Sequence, residues 1–157
     1  MLTRVTQAQE LWGGADKNID AWLNARKRLL VEYCQLVGHK KQYKPSAPLP
    51  DIEAIGHFCN HLVDYVSTGH FGIFDQIIEN CQDYQRVHHC ISRLSPTTDD
   101  ILDFYDQFSA LDEQVSLDHF DRALGKLGET LEARFNIEDK LLKALYQHSI
   151  DEPLVAI

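Results

Sequence analysis

No apolar run in this 157-residue sequence is long enough to cross a bilayer, and Met1 to Glu10 hold no hydrophobic segment behind a basic one. The first absence argues against a membrane span. The second argues against a secretory leader, so a cytoplasmic location is expected. The four cysteines (Cys34, Cys59, Cys81 and Cys90) form no Cys-x-x-Cys pair. They read as reduced thiols, mostly small core residues, rather than a redox or zinc site. No Gly-x-Ser-x-Gly elbow, phosphate-binding loop or Gly-x-Gly-x-x-Gly turn occurs. Catalysis of those common kinds therefore lacks its sequence signature, and no enzyme is expected.

Basic residues are missing from one long stretch. Thr97 to Asp121 contains Asp99, Asp100, Asp103, Asp106, Asp112, Glu113, Asp118 and Asp121, with no Lys or Arg to offset them. The formal net charge is −9, although Arg26, Lys27, Arg28, Lys40, Lys41 and Lys44 cluster early. An acidic balance repels nucleic-acid phosphate and favours a basic partner. A solvated face that maintains solubility explains the same acids.

Strand-type alternation is also absent, whereas apolar residues recur at helical spacing almost throughout. A composition of 44% hydrophobic and 25% charged residues suits one globular domain over residues 1–157. The pattern predicts a short helix over Thr3–Trp12, stopped by Gly13-Gly14. A second helix, capped by Asp16, carries Ile19, Trp22, Leu23, Leu29, Leu30, Tyr33, Leu36 and Val37 and ends at Gly38. Three prolines make residues 44–50 a loop. Asp51 caps a third helix with the stripe Ile55, Phe58, Cys59, Leu62, Tyr65 and Val66. Gly69 should bend it before the pattern resumes through Phe71, Phe74, Ile77, Ile78 and Cys81. Tyr84–Leu94 reads as a shorter helix. Ser95-Pro96 would end it and start another, with Ile101, Leu102, Phe104, Tyr105 and Phe108 buried. The last helix, Leu117–His148, has the stripe Phe120, Leu124, Leu127, Leu131, Phe135, Leu141, Leu142 and Leu145. The expected fold class is all-α: an up-and-down bundle of four long helices plus short extra ones.

Charges interrupt these stripes. Arg26 follows Trp22 by one turn, and Arg134 and Glu138 share the arc of Leu131 and Leu145. Such groups must pair when buried. Glu138 is expected to accept from Arg26 or Arg134, in a structural polar network rather than a catalytic site. His57 and His61 are one turn apart, with Asp64 near, a spacing able to hold a metal. The Glu-x-x-His pairs of di-iron bundles are missing, so no metal or other cofactor is expected. The alternative is a small metal-binding bundle or enzyme using His57, His61, His70, Asp64 and Glu138. Asp64, Ser67 and His70 flank Tyr65 and Phe71 beside a glycine, a mixture that suits a protein-binding surface. Periodicity equally allows Phe71 to be core.

Four stretches resemble the regulator of sigma D family, the Rsd and AlgQ anti-sigma factors. They are Gln9-Glu10-Leu11-Trp12-Gly13-Gly14; Ile19-Asp20-Ala21-Trp22-Leu23 with Arg26; Leu62 to Phe71; and Leu131-Glu132-Ala133-Arg134-Phe135 with Glu138-Asp139. Residues 82–118 match mainly in pattern. The resemblance implies a cytoplasmic helical protein that binds the C-terminal domain of the primary sigma factor of RNA polymerase. That domain reads the −35 promoter element and docks on core polymerase. Occupying it would block both contacts and lower housekeeping transcription as growth slows. The partner is then this sigma factor, with no direct nucleic acid and no membrane. Carried over residue by residue, Asp64, Ser67 and Phe71 fall in the sigma-facing motif, with Tyr65 and His70 as supporting residues.

Overall fold

The computed structural model describes residues 17–39, 51–111 and 115–151. Among these, the elements are α1 (Lys17–His39), α2 (Ile52–Thr68), a π-turn (Gly69–Ile73), α3 (Phe74–Asn80), α4 (Tyr84–Phe108) and α5 (Leu117–Asp151). The helix expected over Thr3–Trp12, the Asp16 cap and the proline loop lie outside the described residues.

Cross-helix contacts give the topology. Trp22 stacks on Tyr65 near the start of α1 and the end of α2, and Tyr33 meets Phe58 further along, so α1 and α2 run antiparallel. Arg134 reaches Thr97 while Phe120 packs on Phe108, so α4 and α5 do likewise. Tyr33 also bonds to Leu124, and Arg26 to Glu138, which sets α5 antiparallel to α1. The result is an up-down-up-down helical bundle, as the 3.6-residue periodicity implies. Its core holds Trp22, Leu23, Phe58, Leu62, Ile101, Phe104, Leu131 and Phe135.

Local chemistry sets the helix starts. Asp51 accepts from the Glu53 and Ala54 backbone amides, and Asp83 caps α4 through the Arg86 amide. One boundary differs from expectation. Pro96 does not divide a helix: α4 runs unbroken from Tyr84 to Phe108 with Pro96 inside. Proline lacks the amide that would bond to the Ser92 carbonyl, and Ser92, Ser95 and Pro96 are all exposed, so the break in the ladder falls on the solvent side of the helix. Val87, Cys90, Leu94, Thr97, Ile101, Phe104 and Phe108 keep one buried stripe in register across it. Leu102 also departs from expectation. It stands outside that stripe and is 43% exposed. Of the cysteines, Cys59 and Cys90 are buried, Cys81 is partly so and Cys34 is exposed.

Candidate functional site

Two groups of polar residues emerge, one sealed inside the bundle and one open to solvent. The sealed group is a belt across α1, α2, α4 and α5. Glu138 accepts from Arg26 Nη2 at 3.0 Å and from Arg134 Nε at 2.9 Å. The Tyr65 hydroxyl donates to Glu138 at 2.5 Å and accepts from Arg26 Nε at 3.0 Å. Arg26 Nη1 reaches Asp139 at 2.6 Å. Arg134 Nη1 donates to the Thr97 and Thr98 hydroxyls at 3.0 and 2.8 Å, and both hydroxyls donate onward to the Leu94 carbonyl. Arg26 and Glu138 are fully buried and Arg134 nearly so.

Such a belt persists only because its groups are matched. Every buried side-chain nitrogen and oxygen among the described residues has a hydrogen-bond partner. The Arg26 guanidinium also lies 4.7 Å from the Phe135 ring centre and 5.4 Å from that of Trp22. Burial acts to lower the Arg26 pKa, but Tyr65, Glu138 and Asp139 outweigh it and raise the value. Burial, with the Glu138 carboxylate alongside, lifts the Tyr65 phenol well above its ordinary pKa.

Tyr65 therefore does not belong to a partner-facing surface. Its ring is buried against Trp22 and Phe135. Its hydroxyl is spent inside the belt. Helical spacing already sets Tyr65 in the stripe from Ile55 to Val66; the surface role rested on its closeness in sequence to Asp64, and adjacent helical residues point about 100° apart.

The open group surrounds the π-turn. Its widened bond runs from the Phe74 amide back five residues to the Gly69 carbonyl. Trp22 accounts for its position. The indole nitrogen donates to the Tyr65 carbonyl at 3.3 Å, drawing on the last turn of α2. A side chain at Gly69 would place its Cβ 3.1 Å from the Trp22 ring, so glycine permits this close approach. The bend expected at Gly69 is this single wide turn.

Phe71 lies at its outer edge, 76% exposed, with its ring against that of His70 at 4.8 Å. At 100° per residue Phe71 falls about 140° from buried Val66, off the core stripe. Its exposure decides between core and surface, which periodicity alone left open. Asp64 and His70 are exposed and Ser67 partly so. Asp64, Ser67 and Phe71 fall within about 60° of one helical arc. Beside them a cavity of about 440 Å³ opens between α2 and α4. Its walls include Val66, Phe71, Phe74, Ile91, Leu94 and Leu102, with Asp99 on the rim and Arg134 at the back.

The histidines that suggested a metal do not converge. His57 lies 3.6 Å from Glu53, and His61 bonds to Glu32 at 2.7 Å, on the exposed side of α2. Glu138 is enclosed with its two arginines. Among the described residues no group of three His, Cys, Asp or Glu side chains is arranged to hold a metal ion. None of the described helices is long and apolar enough to cross a membrane.

Four contributors carry no signal of their role in the sequence pattern. Thr97 and Thr98 ligate Arg134, which the expected break at Pro96 obscured. Asp139 joins the belt from its edge, where it is 22% exposed. Leu102, expected in the core, forms part of the open groove.

A family model described as "Regulator of RNA polymerase sigma(70) subunit, Rsd/AlgQ" matches residues 1–146. A "Regulator of sigma D" from Yersinia enterocolitica is 37% identical over 149 residues, covering 91% of this chain and 89% of the relative. One from Pectobacterium carotovorum is 38% identical over 155 residues, covering 94% and 100%. One from Enterobacter sp. strain 638 is 40% identical over 148 residues, covering 90% and 88%.

Proposed function

Because the chain belongs to the Rsd/AlgQ family of regulators of the RNA polymerase sigma(70) subunit, we propose that it is an anti-sigma factor. It holds the C-terminal domain of the primary sigma factor through the face around Phe71. The domain is then kept from core polymerase and from the −35 promoter element. Housekeeping transcription falls in consequence as growth slows, and the chain works in the cytoplasm without making or breaking covalent bonds.

The observation that carries this reading is Phe71, a large ring left 76% exposed at a wide helical turn beside Asp64 and Ser67. An exposed aromatic ringed by hydrogen-bonding groups is the composition of a protein-binding hot spot. Charge supports it. A DNA-reading domain is basic where it meets phosphate, and a chain of formal net charge −9 attracts that surface. Asp64 meets a sigma arginine or lysine, Phe71 fills an apolar site, and His70 and Ser67 supply the polar surround.

The test uses the purified chain, the full sigma factor, its isolated C-terminal domain, and sigma lacking that domain. Co-elution on a sizing column is expected with the first two sigma forms and lost with the third. Retention of the truncated sigma would move the contact elsewhere.

A further inference from the structure

Resting on that sigma-binding reading, we propose that the docking surface extends across to α4. The groove between α2 and α4 takes an apolar side chain from a basic helix of the sigma domain. Phe71 and Leu102 stand at the groove, and Asp64 and Asp99 draw the cations that flank the inserted side chain.

The cavity walls are mainly apolar, with the matched Arg134 at the back and one carboxylate, Asp99, among the exposed lining residues. Val66, Phe74 and Leu94 are buried and Ile91 partly so, while Phe71 and Leu102 are 76% and 43% exposed at its edges. Its volume of about 440 Å³ accommodates a large aliphatic or aromatic side chain. Antiparallel walls give it the shape that receives a helix, with side chains from one face entering the trough.

The sign of the occupant follows from the charges at the mouth. Arg134 lies behind the groove, but the belt to which it belongs contains two guanidiniums and two carboxylates, Arg26 and Arg134 against Glu138 and Asp139. Their formal charges cancel. The field at the opening is then set by Asp99 on the rim and Asp64 on the adjoining arc, both exposed. An anionic or neutral helix would leave these carboxylates without a counter-charge. A helix with Lys or Arg on either side of an apolar anchor satisfies them and fills the apolar space together. This gives part of the acidic stretch on α4 a role in recognition beyond solubility.

The proposal is tested with the full chain and the isolated sigma C-terminal domain, using Leu102→Ser and Asp99→Lys. Both sites are exposed on α4, and helical content and melting are measured alongside. Each variant is expected to bind at least tenfold more weakly. The Phe71→Ala, Leu102→Ser double variant should lose less than the product of the single losses, because both residues touch one inserted side chain. If Phe71→Ala weakens binding while folded Leu102→Ser and Asp99→Lys bind as tightly as wild type, sigma docks on α2 alone. The groove proposal is then wrong and the anti-sigma reading stands. If the wild-type chain binds no sigma domain, both fail. Should Leu102→Ser lose its fold, Asp99→Lys decides by itself.

Discussion

Tyr65 and Phe71 lie six residues apart, one at the end of α2 and one in the π-turn that follows, yet they meet opposite environments. Tyr65 is 2% exposed, stacked on Trp22 and bonded to both Arg26 and Glu138. Phe71 is 76% exposed. The carboxylates repeat the contrast. Glu138 is enclosed by two guanidiniums, and Asp64 faces water. Residue type does not separate the two regions, since each combines aromatic rings with charge. Enclosure separates them. A charge taken out of water must be matched at once by its own chain. A charge left in water stays available to another molecule.

Substitutions should therefore divide cleanly between loss of stability and loss of binding. The largest effect is expected from Glu138→Ala, which strands two buried guanidiniums. Removing one partner of a buried pair costs about 3–5 kcal/mol, so thermal unfolding followed by circular dichroism should show a large fall in Tm. A wild-type Tm would mean that the belt contributes no stability.

Phe71→Ala should do the reverse. Loss of a hot-spot aromatic costs about 2 kcal/mol of binding, roughly thirtyfold in affinity. Stability should stay within about 0.5 kcal/mol, because the ring is mostly solvated. A variant that melts early and still binds sigma would invert the assignment of Phe71.

Tyr65→Phe keeps the ring stacked on Trp22 and removes only the hydroxyl. Glu138 loses one donor and Arg26 Nε its acceptor, at a cost of about 1–2 kcal/mol by urea titration. Weaker sigma binding at unchanged stability would bring Tyr65 back to the surface function. Asp64→Ala should weaken binding by about 1 kcal/mol and flatten its dependence on salt. An unaltered salt slope would remove Asp64 from the contact.

The mildest effect near neutral pH comes from proton linkage. Burial pushes the Cys59 thiol from 9.0 up to about 12 and raises the Tyr65 phenol as well. Between the unfolded and folded values the folded chain binds more protons. Stability is thus fully present below about pH 9 and declines as pH rises toward 12. The urea midpoint should be level from pH 7 to 8 and lower at pH 10.5. A midpoint that rises with pH would contradict the buried setting of both groups.

Much of the bundle was legible from spacing. The stripes from Ile55 to Val66 and from Phe120 to Leu142 are buried as their 3.6-residue period requires. Arg26, Arg134 and Glu138 were legible too, since a charge inside an apolar arc has nowhere to point except inward. The start of α4 at Tyr84 was legible, but its continuity through Pro96 was not, because Ser-Pro has the same local signal whether a helix begins there or tertiary packing carries it through. The π-turn was only half visible. Gly69 announced a disturbance, but the indole that packs on it arrives from α1, and no pattern local to α2 contains that partner. Tyr65 misled for a related reason: its ring belongs to the core stripe while Asp64, just before it, belongs to the surface.

The central claim is that the open face around the π-turn holds the sigma C-terminal domain. Amide chemical-shift mapping of the labelled chain, with and without the unlabelled domain, tests it most directly. The largest shifts are expected from Asp64 to Phe74 and from Ser95 to Leu102. Shifts confined to the outer faces of α1 and α5, with Phe71 and its neighbours unmoved, would contradict it.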